Sequence, residues 1–384
     1  MTDNLTADEM VALVRRVFHP RDEDRRLAIL LDMPDAGASD TPAWKDRREM
    51  ALAWREMLAP RAGELGLDRV SLVLYRNPRG NNADLPPTGF LHAQGPLPAD
   101  ADELRGDPVP FDTVFENYDL LMAPTQFSAT APLKMAARQF GFRAATMPGF
   151  GRAMIPALRI DYGVVGKRVA LLEEMLDEAT RCELVFTAEG ARHELTLDLR
   201  HRSATASGGV YPEGGKAGNV PSGESYIVPY EGEIEGDPSR SAGEIPVQLG
   251  DDVVVYRVEG NRAVEVLSDN PTSVEEAQRL REEPAYGNMA ELGLGVLSDF
   301  GLEPIGEILL DEKLGLHIAF GRSEHFGGQV GPDDFSAPEK VVHIDRIYIA
   351  ETQPKVTVVR AALFYEDGSE KEIVRDGEYV VDFG

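Results

Sequence analysis

The sequence predicts two domains of different class: an α/β amino-terminal domain on a doubly wound parallel sheet, residues 1–182, and a mostly β carboxy-terminal domain, residues 183–384. Three observations carry this expectation. At 384 residues the chain is too long for one ordinary hydrophobic core. As far as Cys182, short apolar runs alternate with stretches of helical periodicity, the pattern of strands joined by crossover helices. Beyond Cys182 apolar runs follow one another across glycine-containing turns, and helices become few.

In the first domain, Thr6 with Glu9 three residues later forms a capping box ahead of an amphipathic helix. The runs 25–33, 69–76, 118–124 and 143–149 read as strands. Residues 45–65 and 132–142 carry apolar side chains at helical spacing, and 166–181 is a further helix that closes this half. No strand-to-helix turn carries a glycine-rich phosphate motif, which argues against a nucleotide site.

In the second domain, 182–190 and 193–202 read as strands joined at Glu189-Gly190. The glycine-rich segment 207–236 has the composition of a flexible linker. It also contains the apolar SYIVPY, for which a linker has no use, so it reads as an ordered loop presenting Glu224 and then a strand. Residues 251–268 form a hairpin turning at Glu259-Gly260-Asn261, and 273–283 is a helix with acids in its first turn and arginines in its last, as the helix dipole favours. The last 29 residues, 356–384, read as three strands with turns at Asp367-Gly368 and Asp376-Gly377.

Composition excludes several function classes. Sixty-six acidic against 39 basic residues leave a net charge of −27, which repels nucleic acid and anionic membrane surfaces. With a single cysteine, Cys182, no intrachain disulfide forms. There is no run of the ~18 apolar residues that a membrane span needs, and the first residues lack the pattern of a signal peptide. A cytoplasmic location is expected.

Good metal ligands stand in apolar surroundings between Glu291 and Asp345: Glu291 in AELGLG, Glu312 and His317 in DEKLGLHIAFG, His343 and Asp345 in VVHIDRIYI. A buried imidazole or carboxylate needs a compensating partner, and one divalent cation serves several at once. On a strand His343 and Asp345 point to one face, with Ile344 and Arg346 on the other. The runs Ile308–Leu310 and Leu316–Phe320 flank Asp-Glu-Lys-Leu-Gly, which reads as a tight hairpin, with Gly315 bending the chain so that Glu312 and His317 converge. Imidazole nitrogen mixed with carboxylate oxygen suits Zn, Co, Mn or Fe(II).

Four segments in order, 218–232, 290–295, 309–321 and 341–347, make this chain resemble the aminopeptidase T/aminopeptidase S family of dinuclear metallo-aminopeptidases. The first half is matched more loosely, by layout and by RQFGFRAATMPG. The resemblance implies an α/β domain followed by a mostly β domain holding the metals, in a homodimer. It implies six ligands, Glu224, Glu291, Glu312, His317, His343 and Asp345, with Glu291 bridging two divalent ions such as Zn, Co or Mn. The implied activity is amide hydrolysis by metal-activated water, removing N-terminal residues from a small peptide, with Glu291 or Glu224 moving the proton. One position departs. Seven residues after the first ligand histidine, where the family places a tyrosine that steadies the tetrahedral intermediate, stands Glu324, flanked by Ser323 and His325. His325 or Tyr286 then has to supply the lost donor, or the substrate is a small non-peptide amide.

Two alternatives belong to other classes. The 2,5-dihydroxypyridine dioxygenases resemble this family but hold one Fe(II) with two histidines and a carboxylate, with a histidine where this chain has Glu291. A catalytically silent metal- or ligand-binding protein is the other.

Overall fold

The computed structural model describes residues 4–384, which divide into two compact units. The first comprises residues up to Tyr162 together with Gly209–Ser222; the second comprises Gly163–Gly208 and Gly223–Gly384. The expected boundary at residue 182 therefore moves. The helix Tyr162–Glu178, expected to close the first half, groups with the second unit, where its Val169 carbonyl accepts a hydrogen bond from Ser225 and its Glu173 and Asp177 accept from the backbone of Ala206 and Ala204. Periodicity identified the helix, but not which core its apolar face would join.

The first unit is a seven-stranded sheet in the order 217–219, 143–146, 120–123, 26–33, 69–76, 88–92, 108–110. The first five strands are parallel and the last two antiparallel, so the expected parallel sheet carries an antiparallel edge. Successive residues of a strand face opposite ways. Ala28 and Leu30 accordingly join a cluster with Phe111, Val114, Leu133 and Ala137 from the helices Phe111–Asn117 and Thr130–Phe140. Leu27, Ile29 and Leu31 face the other way and are equally buried. Each such side chain stabilises the fold by about 1.5–3 kcal/mol. The helix Ala7–Phe18 begins with the expected capping box, Thr6 and Glu9 each accepting the other's backbone N–H.

The second unit contains two antiparallel sheets. The eight-stranded one runs 262–266, 252–259, 242–249, 191–198, 179–188, 356–365, 370–375, 378–379. The hairpin at 259–261 turns as expected, Gly260 and Asn261 both adopting positive φ. Cys182 lies buried in this sheet, and burial pushes its thiol up to about 12. The five-stranded sheet, in the order 343–347, 316–321, 289–295, 224–227, 205–207, positions the candidate ligands. Among the described residues no helix is long and apolar enough to cross a membrane.

Candidate metal centre

Three adjacent strands of the five-stranded sheet bring the ligands together. Glu291 lies on 289–295, His317 on the neighbouring 316–321, and His343 and Asp345 on 343–347, each pair of neighbours antiparallel. Glu224 begins the strand 224–227 on the far side of 289–295 and pairs with Gly295. The AELGLG motif has a steric reason. Gly293 pairs with His317, and a Cβ there would fall on the His317 ring. Gly295 faces the backbone of Glu312 and Lys313, and a Cβ there would collide with it. Glycine at both positions lets an imidazole and a helical turn approach the strand that carries Glu291.

The Glu291 carboxylate is shared. Oε1 lies 3.3 Å from His317 Nε2, and Oε2 lies 3.3 Å from His343 Nε2. Asp345 Oδ1 is 3.5 Å from the same His343 nitrogen, and Glu224 Oε2 is 3.6 Å from His317 Nε2. Two potential ligand sets result, Glu224–Glu291–His317 and Glu291–His343–Asp345, each with its donor atoms within 4.8 Å of one another. Glu291 belongs to both. His317 is fully buried, Glu291 4% exposed and Glu224 6%.

Both histidines are oriented for ligation. His317 Nδ1 donates to the Gly315 carbonyl at 3.1 Å, and His343 Nδ1 donates to the Arg322 carbonyl at 2.7 Å. A carbonyl only accepts, so each Nδ1 keeps its proton and each Nε2 faces carboxylate oxygens, which also only accept. A proton on Nε2 or a cation in its place resolves this. Without a metal the protons serve. Burial would lower His317, but its hydrogen bond to Glu291 and the surrounding carboxylates carry it up to about 9. His343 rises well above the usual histidine range, Asp345 and Glu291 outweighing burial. Burial would raise Glu291, yet the hydrogen bonds from both histidines pull it down to about 2. Glu224 Oε2 is buried and has no hydrogen-bond partner among the described residues, although desolvation of a lone carboxylate oxygen is costly. The donor set fits a divalent cation.

Glu312 departs from expectation. The run Ile308–Asp311 is a short helix and Glu312–Leu314 a 3₁₀ turn, so no hairpin forms. Asp311 holds that helix by accepting the N–H groups of Ile305 and Gly306, and a run of three apolar residues does not distinguish helix from strand. The turn carries Lys313, 1% exposed, into the cluster. Its ammonium lies 2.5 Å from Glu224 Oε1 and also pairs with Glu312 Oε1. Glu312 therefore belongs to neither ligand set. Burial pushes its carboxyl up to about 8, Lys313 opposing and the charges of Glu224 and Asp345 adding. Burial also raises Glu224, Lys313 pulling the other way. Lys313 was missed in the sequence, although a lysine between Glu312 and Leu314 in an apolar stretch is a legible sign of a buried ion pair.

Of the other expected site residues, His325 is near. Its ring lies 5.3 Å from that of His343 and 4.0 Å from that of Phe326. Its Nδ1 is buried without a hydrogen-bond partner among the described residues, and burial, with the charges of His343 and Arg322, pushes the imidazole down to about 3. Glu324 instead forms a two-pronged pair with Arg322, at 2.6 and 3.0 Å, and is 43% exposed. Tyr286 donates to Glu276 at 2.6 Å and accepts from Arg346, whose place on the strand 343–347 faces away from His343 and Asp345. A second residue missed in the sequence is Tyr226, on the same strand face as Glu224 two positions on. Burial, together with the charges of Glu291 and Glu224, raises its phenol.

No family model and no curated protein matches the chain. Two of the solved structures similar to it match over nearly its whole length. One is a 2,5-dihydroxypyridine dioxygenase from Pseudomonas putida KT2440, with TM-score 0.62 and 14% identity, covering 98% of this chain and 99% of that one. The other is wild-type AmpT from Thermus thermophilus, with TM-score 0.55 and 15% identity, covering 98% of each chain. At these identities the likeness is one of fold: an α/β unit followed by a mostly antiparallel one, as the sequence led us to expect.

Proposed function

We propose that the chain is a metal-dependent hydrolase of amide bonds, most simply an aminopeptidase acting on small peptides. The observation that carries this reading is the Glu291 carboxylate, which offers one oxygen to each of two histidines whose Nδ1 protons are tied to carbonyls. When bound, a divalent ion supplies Lewis acidity and lowers the pKa of water. The side chains supply the rest. Glu291, His343 and Asp345 would hold the cation, with His317 on the other oxygen of Glu291. Both oxygens of Glu291 are engaged by histidines, so the free Oε2 of Glu224, 3.6 Å from His317 Nε2, is the oxygen positioned to take a proton from the attacking water and deliver it to the leaving amine. His325 and Tyr226 are the neutral groups closest in role to the tyrosine that Glu324 replaces.

Incubation of the Zn-, Co- or Mn-loaded chain with a panel of aminoacyl and small-molecule amides should give cleavage that a chelator abolishes. No cleavage across the panel would remove the reading. A second reading, a mononuclear Fe(II) ring-cleaving dioxygenase, is favoured by one observation: Lys313 neutralises carboxylates that a second ion would use. Oxygen uptake on a dihydroxypyridine by the iron-loaded chain would establish it instead.

A further inference from the structure

Carboxylates converge on this centre from four positions, Glu224, Glu291, Glu312 and Asp345, and they are not all available to metal. Lys313 reaches in from the 3₁₀ turn beside Gly295 and holds Glu224 by Oε1 and Glu312 by Oε1. The ammonium is buried and stands where a cation would balance those two acids. We propose that Lys313 is a built-in cation that takes the place of a second metal ion, so that the centre binds one divalent ion per chain, on Glu291, His343 and Asp345 with His317 across the shared carboxylate.

Three features support this. Glu312 is drawn out of both ligand sets by the ammonium, removing a carboxylate from the Glu224 side. An ion on Glu224 Oε2 would share that carboxylate with the lysine, so two cations would repel across one small group. The Glu291–His343–Asp345 set contains none of the atoms that Lys313 engages. The charge also balances better with one ion. Four carboxylates against the lysine and one divalent ion leave a single negative charge on neutral histidines, which a substrate ammonium group can meet; a second ion would leave a net positive charge.

The inference rests on the metal-centre reading above, and the experiment separates the two. The chain, stripped by chelator and reloaded with Co(II), is assayed for cobalt per chain by elemental analysis and by titration of the visible absorption of bound Co(II). The wild type is expected to hold one ion, Lys313→Arg one, and Lys313→Met and Lys313→Gln two, each with the second ion lost again in the double variant with Glu224→Gln. Circular dichroism before and after loading reports whether each variant is folded. A wild type that binds two ions overturns the inference while leaving the metal centre standing, and this count needs no variant to fold. A wild type that binds none overturns both. Neutral variants that fold and still bind one ion also overturn it.

Discussion

Gly293 and Gly295 stand two residues apart on one strand and open onto different partners. A Cβ at Gly293 would meet the imidazole of His317; at Gly295 it would meet the backbone of Glu312 and Lys313. The cluster is thus built in two halves, both hinged on the strand that carries Glu291. On the Gly293 side, acceptor-only carboxylates face histidine nitrogens, and only protons or a metal reconcile them. On the Gly295 side the chain supplies its own positive charge. Two acidic clusters of similar composition can therefore differ entirely in their demand for metal, according to whether a lysine reaches them. Counting carboxylates in a sequence does not reveal the difference.

The largest expected effect comes from the residue shared by both halves. Glu291→Gln removes the charge that both histidines face; metal content should fall below detection by elemental analysis and turnover should vanish with it. Full metal content or retained activity would show that Glu291 is not the centre of the arrangement.

Gly293→Ala and Gly295→Ala set the halves against each other. Each overpacks a close approach and should cost about 1–3 kcal/mol in denaturant unfolding. Only the first displaces His317, which orients the shared Glu291 carboxylate, so metal affinity should fall at least tenfold in Gly293→Ala and much less in Gly295→Ala. Equal losses would erase the distinction between the halves.

His325→Phe keeps the ring packing against Phe326 and His343 and removes a nitrogen with no hydrogen-bond partner among the described residues. If that imidazole serves the developing oxyanion, kcat should drop by about 10²-fold with bound metal unchanged. A variant with wild-type kcat would move the role to Tyr226.

The smallest effect is the one on pH. His317 holds its proton up to about 9, above the ordinary histidine value. In the metal-free protein its pairing with Glu291 therefore stabilises the fold fully below about pH 6.5, and that contribution is lost as pH rises through about 9. Metal must displace the proton of His343, which is likewise held well above the usual histidine range, so affinity should climb from pH 6.5 to 9 by about tenfold per unit for each proton released. Calorimetric titration in buffers of different ionisation enthalpy counts those protons. An affinity flat across the range would mean that the histidines are neutral before metal arrives.

Much of this was legible in the chain. Alternation of apolar runs with helical stretches is a local consequence of parallel strands needing crossovers, so the four strands from 25–33 to 143–149 could be read before folding. The same holds for the Thr6–Glu9 cap and the positive-φ turn at Gly260-Asn261, where a few neighbouring residues settle the backbone. His343 and Asp345 share a face because a strand has period two, and of the other assigned positions Glu291 and His325 lie beside them, with Glu224 and His317 gathered on the same Glu291 carboxylate.

The rest depended on contacts between distant segments. The helix Tyr162–Glu178 is amphipathic wherever it packs, and only the assembled cores assign it to the second unit. Glu324 stood out by spacing and Tyr286 as a replacement donor, but Arg322 holds the first at the surface and Glu276 with Arg346 occupies the second. Glu312 was read as a ligand from its neighbours, and its fate is decided by a lysine one residue on and by Glu224, 89 residues away from that lysine. The sequence by itself determined the two classes of domain and the kinds of atom that gather at the centre, because periodicity and side-chain chemistry are local. Which carboxylates still call for a metal was decided only in the folded structure, because charge is neutralised through space and the chain order does not record that distance.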